Sequence, residues 1–280
     1  MLGIINSKYL GQTAYDRIVI PVLQNIEKVS QYKIQIMFCA GDTPALQSMG
    51  GFVMGVGNAK NPCRECLILK NDILQVTKES QCQMREKEFS KQIASSLKDK
   101  EVKDGISRYT QIYEFQSFDP IKMTPQDPMH ILLEGVARRL IIDFIKIWIQ
   151  TKRTSLPELN MRIQNFNWHH NHKNDKLKLI LNETLLYKSE LIISANQMRV
   201  LLNIFPFIFS DICDLDSQDY ELINLLRIIV MISFDFYPNS TLIDKLEDSV
   251  ENYIKLYKKV YEKGYPKLHY LVHLPKWIRK

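Results

Sequence analysis

Apolar residues recur at helical spacing along most of this chain. Ile18, Val22 and Ile26 mark residues 13–32 as an amphipathic helix. Residues 129–148 form a nearly continuous apolar run that predicts a second helix, and residues 194–209, 219–236 and 241–263 predict three more. Ser194, Asp219 and Thr241 are the expected caps of those three, and Pro206 and Pro238 the expected breaks. Trp148, Leu201, Leu225 and Tyr257 on these helices are assigned to the core. One segment departs from the helical period. Lys33-Ile34-Gln35-Ile36-Met37-Phe38-Cys39-Ala40 passes from alternating to buried, which predicts a strand ending at Gly41-Asp42-Thr43-Pro44-Ala45. Residues 71–108 are polar and charged and read as an exposed insertion with some helix, and residues 152–176 as a polar connection.

Four places along this pattern carry candidate chemistry. Asp42 stands either at the carboxyl edge of a buried strand, where α/β sites are built, or as a helix N-cap ahead of Pro44. Pro62-Cys63-Arg64-Glu65-Cys66 holds a CxxC, which fits half a zinc site, a redox pair or two packed thiols. Cys82 and His130 are the further ligands nearest in sequence, and no second CxxC or HxxxH follows at finger spacing. Asp127 and His130 are three residues apart at the start of the apolar helix, so both can face one site. Asp127 also suits an N-cap, with Pro125 and Pro128 restricting the entry, and His130 suits simple packing. His169, His170 and His172 cluster beside Trp168. Adjacent histidines diverge on any regular backbone, so a solvated loop is the expectation there.

Composition narrows the classes. The chain has 280 residues, 45% hydrophobic and 24% charged, enough for a large core. No GxxxxGK[ST] or GxGxxG occurs, and Gly50-Gly51-Phe52-Val53-Met54-Gly55-Val56-Gly57 lacks the Lys-Ser/Thr of a phosphate loop. A net charge of +6 suits either nucleic acid or an ordinary basic protein. Five cysteines without a regular framework point to a reducing compartment. Lys8, Asp16 and Arg17 interrupt the N-terminal apolar stretch, so no signal peptide is expected. Asp143 and Lys146 interrupt residues 141–149, too short a run for a bilayer, so no membrane is expected either.

Five motifs, taken in order over residues 35–280, resemble the catalytic region of eukaryotic cut-and-paste transposases of the CACTA (En/Spm) kind and of transposon-derived proteins. They are Gly41-Asp42-Thr43-Pro44-Ala45, Pro62-Cys63-Arg64-Glu65-Cys66, Asp127-Pro128-Met129-His130 running into Leu133-Glu134-Gly135-Val136, Ser194-Ala195-Asn196-Gln197-Met198, and Pro266-Lys267-Leu268-His269-Tyr270-Leu271-Val272-His273-Leu274-Pro275. The resemblance implies a ribonuclease-H-like fold with three carboxylates holding two Mg²⁺ ions about 3.5–4 Å apart for attack on a phosphodiester. Asp42 resembles the second catalytic acid, Asp127 and His130 the Asp-x-x-His element, and Cys63 and Cys66 the family's Cys pair. Asp42, Cys63, Cys66 and His130 are therefore the implied metal residues, for Mg²⁺ or Zn²⁺. The implied partner is DNA, the implied compartment the nucleus, and oligomers are expected as in transposases.

This chain also departs from the pattern. Residues 1–12 contain no Asp or Glu, and the chain stops at Lys280 before the Gly-Pro…Arg-Phe-Glu context of the third acid. Arg85 remains of an Arg…His pattern, without the His. One carboxylate of three does not hold two Mg²⁺ ions against their hydration shells. The expectation is a truncated, catalytically inactive transposase relative, with a domesticated DNA- or chromatin-binding protein as the alternative. Glu134, on the face of His130, is the substitute acid to consider. The expected fold is α/β, an incomplete ribonuclease-H-like mixed sheet with a large, mainly helical insertion. Its parts are residues 1–70 (core with the Cys pair), 71–123 (polar insertion) and 124–280 (mainly helical, cut before the third acid). Residues 33–40 would then be an exposed edge that lowers solubility.

Overall fold

The computed structural model describes residues 14–29, 38–168, 177, 187–188, 191–213 and 216–279. The chain divides into two compact units, Met1–Ile73 with Ser80–Asp127, and Leu74–Glu79 with Pro128–Lys280. Each is built from helices and turns.

In the first unit, α1 (Ala14–Val29) lies within the expected 13–32, with Asp16 in its first turn and Lys28 in its last, both favourable to the helix dipole; Val22 is half-buried, and Ile20 and Leu23 are buried. Helix α2 (Thr43–Met49) begins at Asp42, whose Oδ1 accepts the Ala45 N–H at 2.7 Å, with Pro44 in the first turn. Helix α3 spans Lys87–Ser96. Ile20 and Leu23 of α1, Leu46 and Met49 of α2 and Ile93 and Ala94 of α3 share one core with Phe52, Ile106, Ile112 and Tyr113. The stretch that reads as a polar insertion thus supplies several of the buried residues. Gly51 follows α2 at φ +71°, where an added Cβ would lie 2.3 Å from the Arg108 carbonyl oxygen.

The expected α/β architecture is overturned. No strand or sheet forms among the described residues, and pairing stops at three isolated bridges, Phe52↔Ile106, Cys66↔Met84 and Lys103↔Ile106. Residues 33–37 of the expected strand lie outside the described residues. Its last three, Phe38, Cys39 and Ala40, are irregular; Phe38 is 42% exposed and the Cys39 N–H donates to the Met123 carbonyl at 2.8 Å. The reason is local. A strand needs a neighbour with a free row of donors and acceptors. The segments after α2 are short, interrupted by Pro62, Pro120 and Pro125, and satisfy their backbone in 3-10 turns such as Lys70–Gln75 and Gln111–Glu114.

The second unit opens with a π-helical stretch, Met129–Val136, continuing as α4 (Ala137–Gln150). The Ala137 N–H reaches back to the Leu132 carbonyl, five residues away, which is the π pattern. Pro128 stands at the entry of this stretch, where its ring supplies no side-chain cap bond. Then come α5 (Leu156–Asn165), α6 (Ala195–Ile208), α7 (Gln218–Ser233), α8 (Ser240–Val260), α9 (Pro266–Tyr270), a 3-10 turn at Leu271–His273, and α10 (Leu274–Arg279). Ser194 and Gln197 form a capping box on α6. Ser217 and Asn239, rather than Asp219 and Thr241, cap α7 and α8. Both capping residues hold extended backbone, while Asp219 and Thr241 fall within the first turns. Pro206 lies inside α6 without ending it.

Helices α7 and α8 pack along each other, burying Leu222, Leu226 and Ile229 on one and Leu246, Val250 and Tyr253 on the other. Trp148 of α4 is fully buried, 5.5 Å from the Phe205 ring and 5.8 Å from Phe209. Leu201 and Tyr257 are buried as expected, and Leu225 is half-buried. Helix α9 packs against the π-helical stretch, where an added Cβ at Gly135 would lie 2.4 Å from the Lys267 side chain. No described helix is long and apolar enough to cross a membrane.

Candidate metal centre

The Cys63/Cys66 loop is held by backbone bonds that a proline-led turn leaves available. The Leu67 N–H donates to Gln83 O at 2.9 Å, and the Arg85 N–H to Glu65 O at 2.8 Å. Arg85, itself buried, adds a side-chain bond from Nε to the Cys63 carbonyl at 3.0 Å. The Glu65 N–H points at the Cys63 Sγ from 3.3 Å, the kind of donor that stabilises a thiolate. Arg64 is buried too, and its Nη2 donates to the Pro125 carbonyl at 2.7 Å, tying this loop to the residues just ahead of Asp127. Cys63 and Cys66 are both fully buried. A hydrogen bond with Cys63 favours the Cys66 thiolate, but a hydrogen bond with Cys82 and burial outweigh it and push the thiol up to about 12.

His269 lies on α9 and His273 ends the 3-10 turn that follows it. A spacing of four brings the two rings together, with centroids 5.2 Å apart and planes at 85°, and both side chains are fully buried. His273 Nδ1 is 2.9 Å from Glu79 Oε1, and Lys276 Nζ is 3.2 Å from the same oxygen. Burial raises the Glu79 pKa, yet His273 and Lys276 outweigh it and hold the carboxyl below its ordinary value.

Cys63, Cys66, His269 and His273 form a buried cluster whose donor atoms all lie within 4.8 Å of one another. Two sulfurs and two imidazole nitrogens make the Cys₂His₂ set that suits tetrahedral zinc, and the cluster can hold a metal ion such as Zn²⁺. Glu65, Glu79 and His273 form a second group within the same limit.

The other sequence candidates sit differently. Asp42 caps α2. Asp127 and His130 are half-buried, and His130 Nε2 lies 3.6 Å from Glu134 Oε2, one helical turn on. Among the described residues, neither group of close donors includes Asp42, Asp127 or His130. His169, His170 and His172 lie outside the described residues. Sequence reasoning missed His269 and His273 as partners of the CxxC. Their HxxxH spacing was the available signal, but it stands near the far end of the chain, well beyond finger spacing. No protein-family model, no curated protein and no solved structure matches the chain.

Proposed function

We propose that the chain is a transposase-derived nuclear protein that binds DNA without cutting it, its helical scaffold fixed by one zinc ion on Cys63, Cys66, His269 and His273. The observation that carries this reading is the buried Cys₂His₂ cluster. Four protein ligands fill a tetrahedral zinc sphere and leave no position for water or substrate, which makes such a site structural. The order of the five motifs supports transposase descent, and the +6 charge suits DNA as partner.

Two-metal strand cleavage asks for several carboxylates converging on one point. The Asp42 carboxylate is engaged in capping α2, and the two groups of close donors found among the described residues do not include it. Strand cleavage is therefore left out of the proposed function.

The test is metal content and DNA chemistry on the same purified chain. The expected result is one zinc per chain, displaced by Co²⁺ to give a tetrahedral thiolate spectrum that Cys66→Ser or His273→Ala abolishes. Duplex or single-stranded DNA is retained, and supercoiled plasmid stays intact in Mg²⁺ or Mn²⁺. A zinc-free chain whose fold is indifferent to chelators, or plasmid nicking abolished by Asp42→Asn, would overturn the reading.

A further inference from the structure

Helices α6 and α7 leave a groove of about 550 Å³ between them, lined by Arg199 and Asn203 on one side and by Asn224, Arg227 and Met231 on the other. On α6, Arg199, Asn203 and Phe207 follow at four-residue steps and so stand in one row, and Phe207 is 71% exposed. On α7, Met231 is one turn beyond Arg227 and 62% exposed. Phe236 and Tyr237, directly after α7, are each 92% exposed. Large apolar side chains so open to water mark a surface that meets something.

Among the described residues, no carboxylate compensates the charges in the groove. Arg108, Arg139, Arg162 and Arg279 each hold a carboxylate. Among the described residues neither Arg199 nor Arg227 has one. Among the described residues, Arg227 Nη1 donates to Asn224 Oδ1 at 3.1 Å, and its buried Nε finds no hydrogen-bond partner. A guanidinium in that state offers a planar fork of donors to an anion.

We propose that the α6–α7 groove binds a single strand of nucleic acid, with phosphates on Arg199 and Arg227 and bases against Phe207 and the neighbouring exposed side chains. This rests on the DNA-binding reading above and gives it a surface. Charge favours a polyanion, and the choice among polyanions follows from the other side chains. A duplex hides its base faces, which leaves exposed rings with nothing to stack on, whereas every unpaired base has a π-face. An acidic helix would fill the apolar floor but would set carbon against the Asn203 and Asn224 amides, which costs hydrogen bonds. Base edges and phosphates satisfy both the amides and the guanidinium forks.

The experiment is fluorescence anisotropy with a labelled oligothymidine strand, a duplex and polyglutamate, on the full zinc-loaded chain. Arg199→Glu and Arg227→Glu should each weaken the strand about tenfold and lower the salt slope by about 0.7 per lost contact. Phe207→Ala should weaken it at least about fivefold. Lys245→Glu, an exposed site on α8, makes the same change of charge and should stay within about twofold of wild type. Strand binding that Lys245→Glu and the groove variants reduce equally would overturn the groove while leaving DNA binding standing. Failure of wild type to bind either nucleic acid would overturn both. Polyglutamate bound as tightly as the strand, or a dimer that Phe207→Glu dissociates, would assign the face to an acidic protein or a second copy and overturn the proposal.

Discussion

His273 Nδ1 and Glu79 Oε1 are 2.9 Å apart, and the ring is fully buried. A carboxylate only accepts, so the shared proton sits on Nδ1 and Nε2 is the nitrogen left for a metal. Lys276, 3.2 Å from the same oxygen, keeps the carboxylate charged and in place. Partners of this kind fix the tautomer and ring orientation of metal-bound histidines, and losing one costs about 10–100-fold in affinity. Glu79→Ala should weaken zinc by that factor in a chelator competition, and Glu79→Gln, which keeps an acceptor oxygen, should lose less. Equal affinity of Glu79→Ala and wild type would show that Glu79 does not orient the ring.

Gly51 is required by its backbone. At φ +71° an added Cβ meets Arg108 O at 2.3 Å and Thr110 Cγ2 at 2.9 Å, and the Ser107 and Arg108 N–H groups both donate to the Gly51 carbonyl. Gly51→Ala therefore combines left-handed strain with a backbone clash and should destabilise by about 1–3 kcal/mol. Chemical denaturation should move the midpoint without changing the slope. A shift under about 0.5 kcal/mol would mean the turn can relax.

What was legible in the sequence was what is encoded locally. The helices at Ala195–Ile208 and Ser240–Val260 are written in a 3.6-residue period, and Ser194 caps the first as the sequence predicts. The second cap is instead Asn239, two residues before the expected Thr241, because several polar residues in a row offer a side-chain acceptor there. The CxxC is equally local. A sheet is different, because the alternation in residues 33–40 says nothing about whether a partner strand exists; among the described residues the Cys39 N–H donates to the Met123 carbonyl, outside any ladder. The π-helical opening at Met129–Val136 has the same hydrophobic pattern as an α-helix, so periodicity does not distinguish them. His269 and His273 were hidden by chain distance: ligand spacing is informative only when both halves fall in one short segment.

Asp143 supplies a pH dependence. Burial raises its pKa from the ordinary 3.8, with Arg139, bonded to it at 2.9 Å, only partly opposing the shift. An acid whose folded pKa lies above its unfolded one opposes folding in its ionised form. The cost is absent below the unfolded value near 3.8 and complete once the pH passes the folded value. Asp143→Asn should therefore gain stability relative to wild type as the pH rises from about 3.5 to neutrality. Thermal melts of both proteins across that range test the sign, and a relative gain that grows toward acid would reverse it.

Asp42 separates a capping role from a catalytic one. Its Oδ1 accepts the Ala45 N–H at 2.7 Å with Pro44 already in the first turn, and Leu46 and Met49 of the helix it starts are buried. Asn caps a helix about as well as Asp, whereas Ala removes the acceptor and costs about 1 kcal/mol. If capping is the whole role, Asp42→Asn should melt with wild type and Asp42→Ala should melt about 4 °C or less below it, given how a kcal/mol spreads over a domain of this size. Neither change should alter DNA affinity by more than about twofold. A metal ligand behaves otherwise, because an amide loses the charge that draws Mg²⁺ and conserves only the shape. A wild-type chain that binds Mn²⁺, with Asp42→Asn losing that binding while keeping its melting temperature, would put Asp42 at a metal site and reopen strand cleavage.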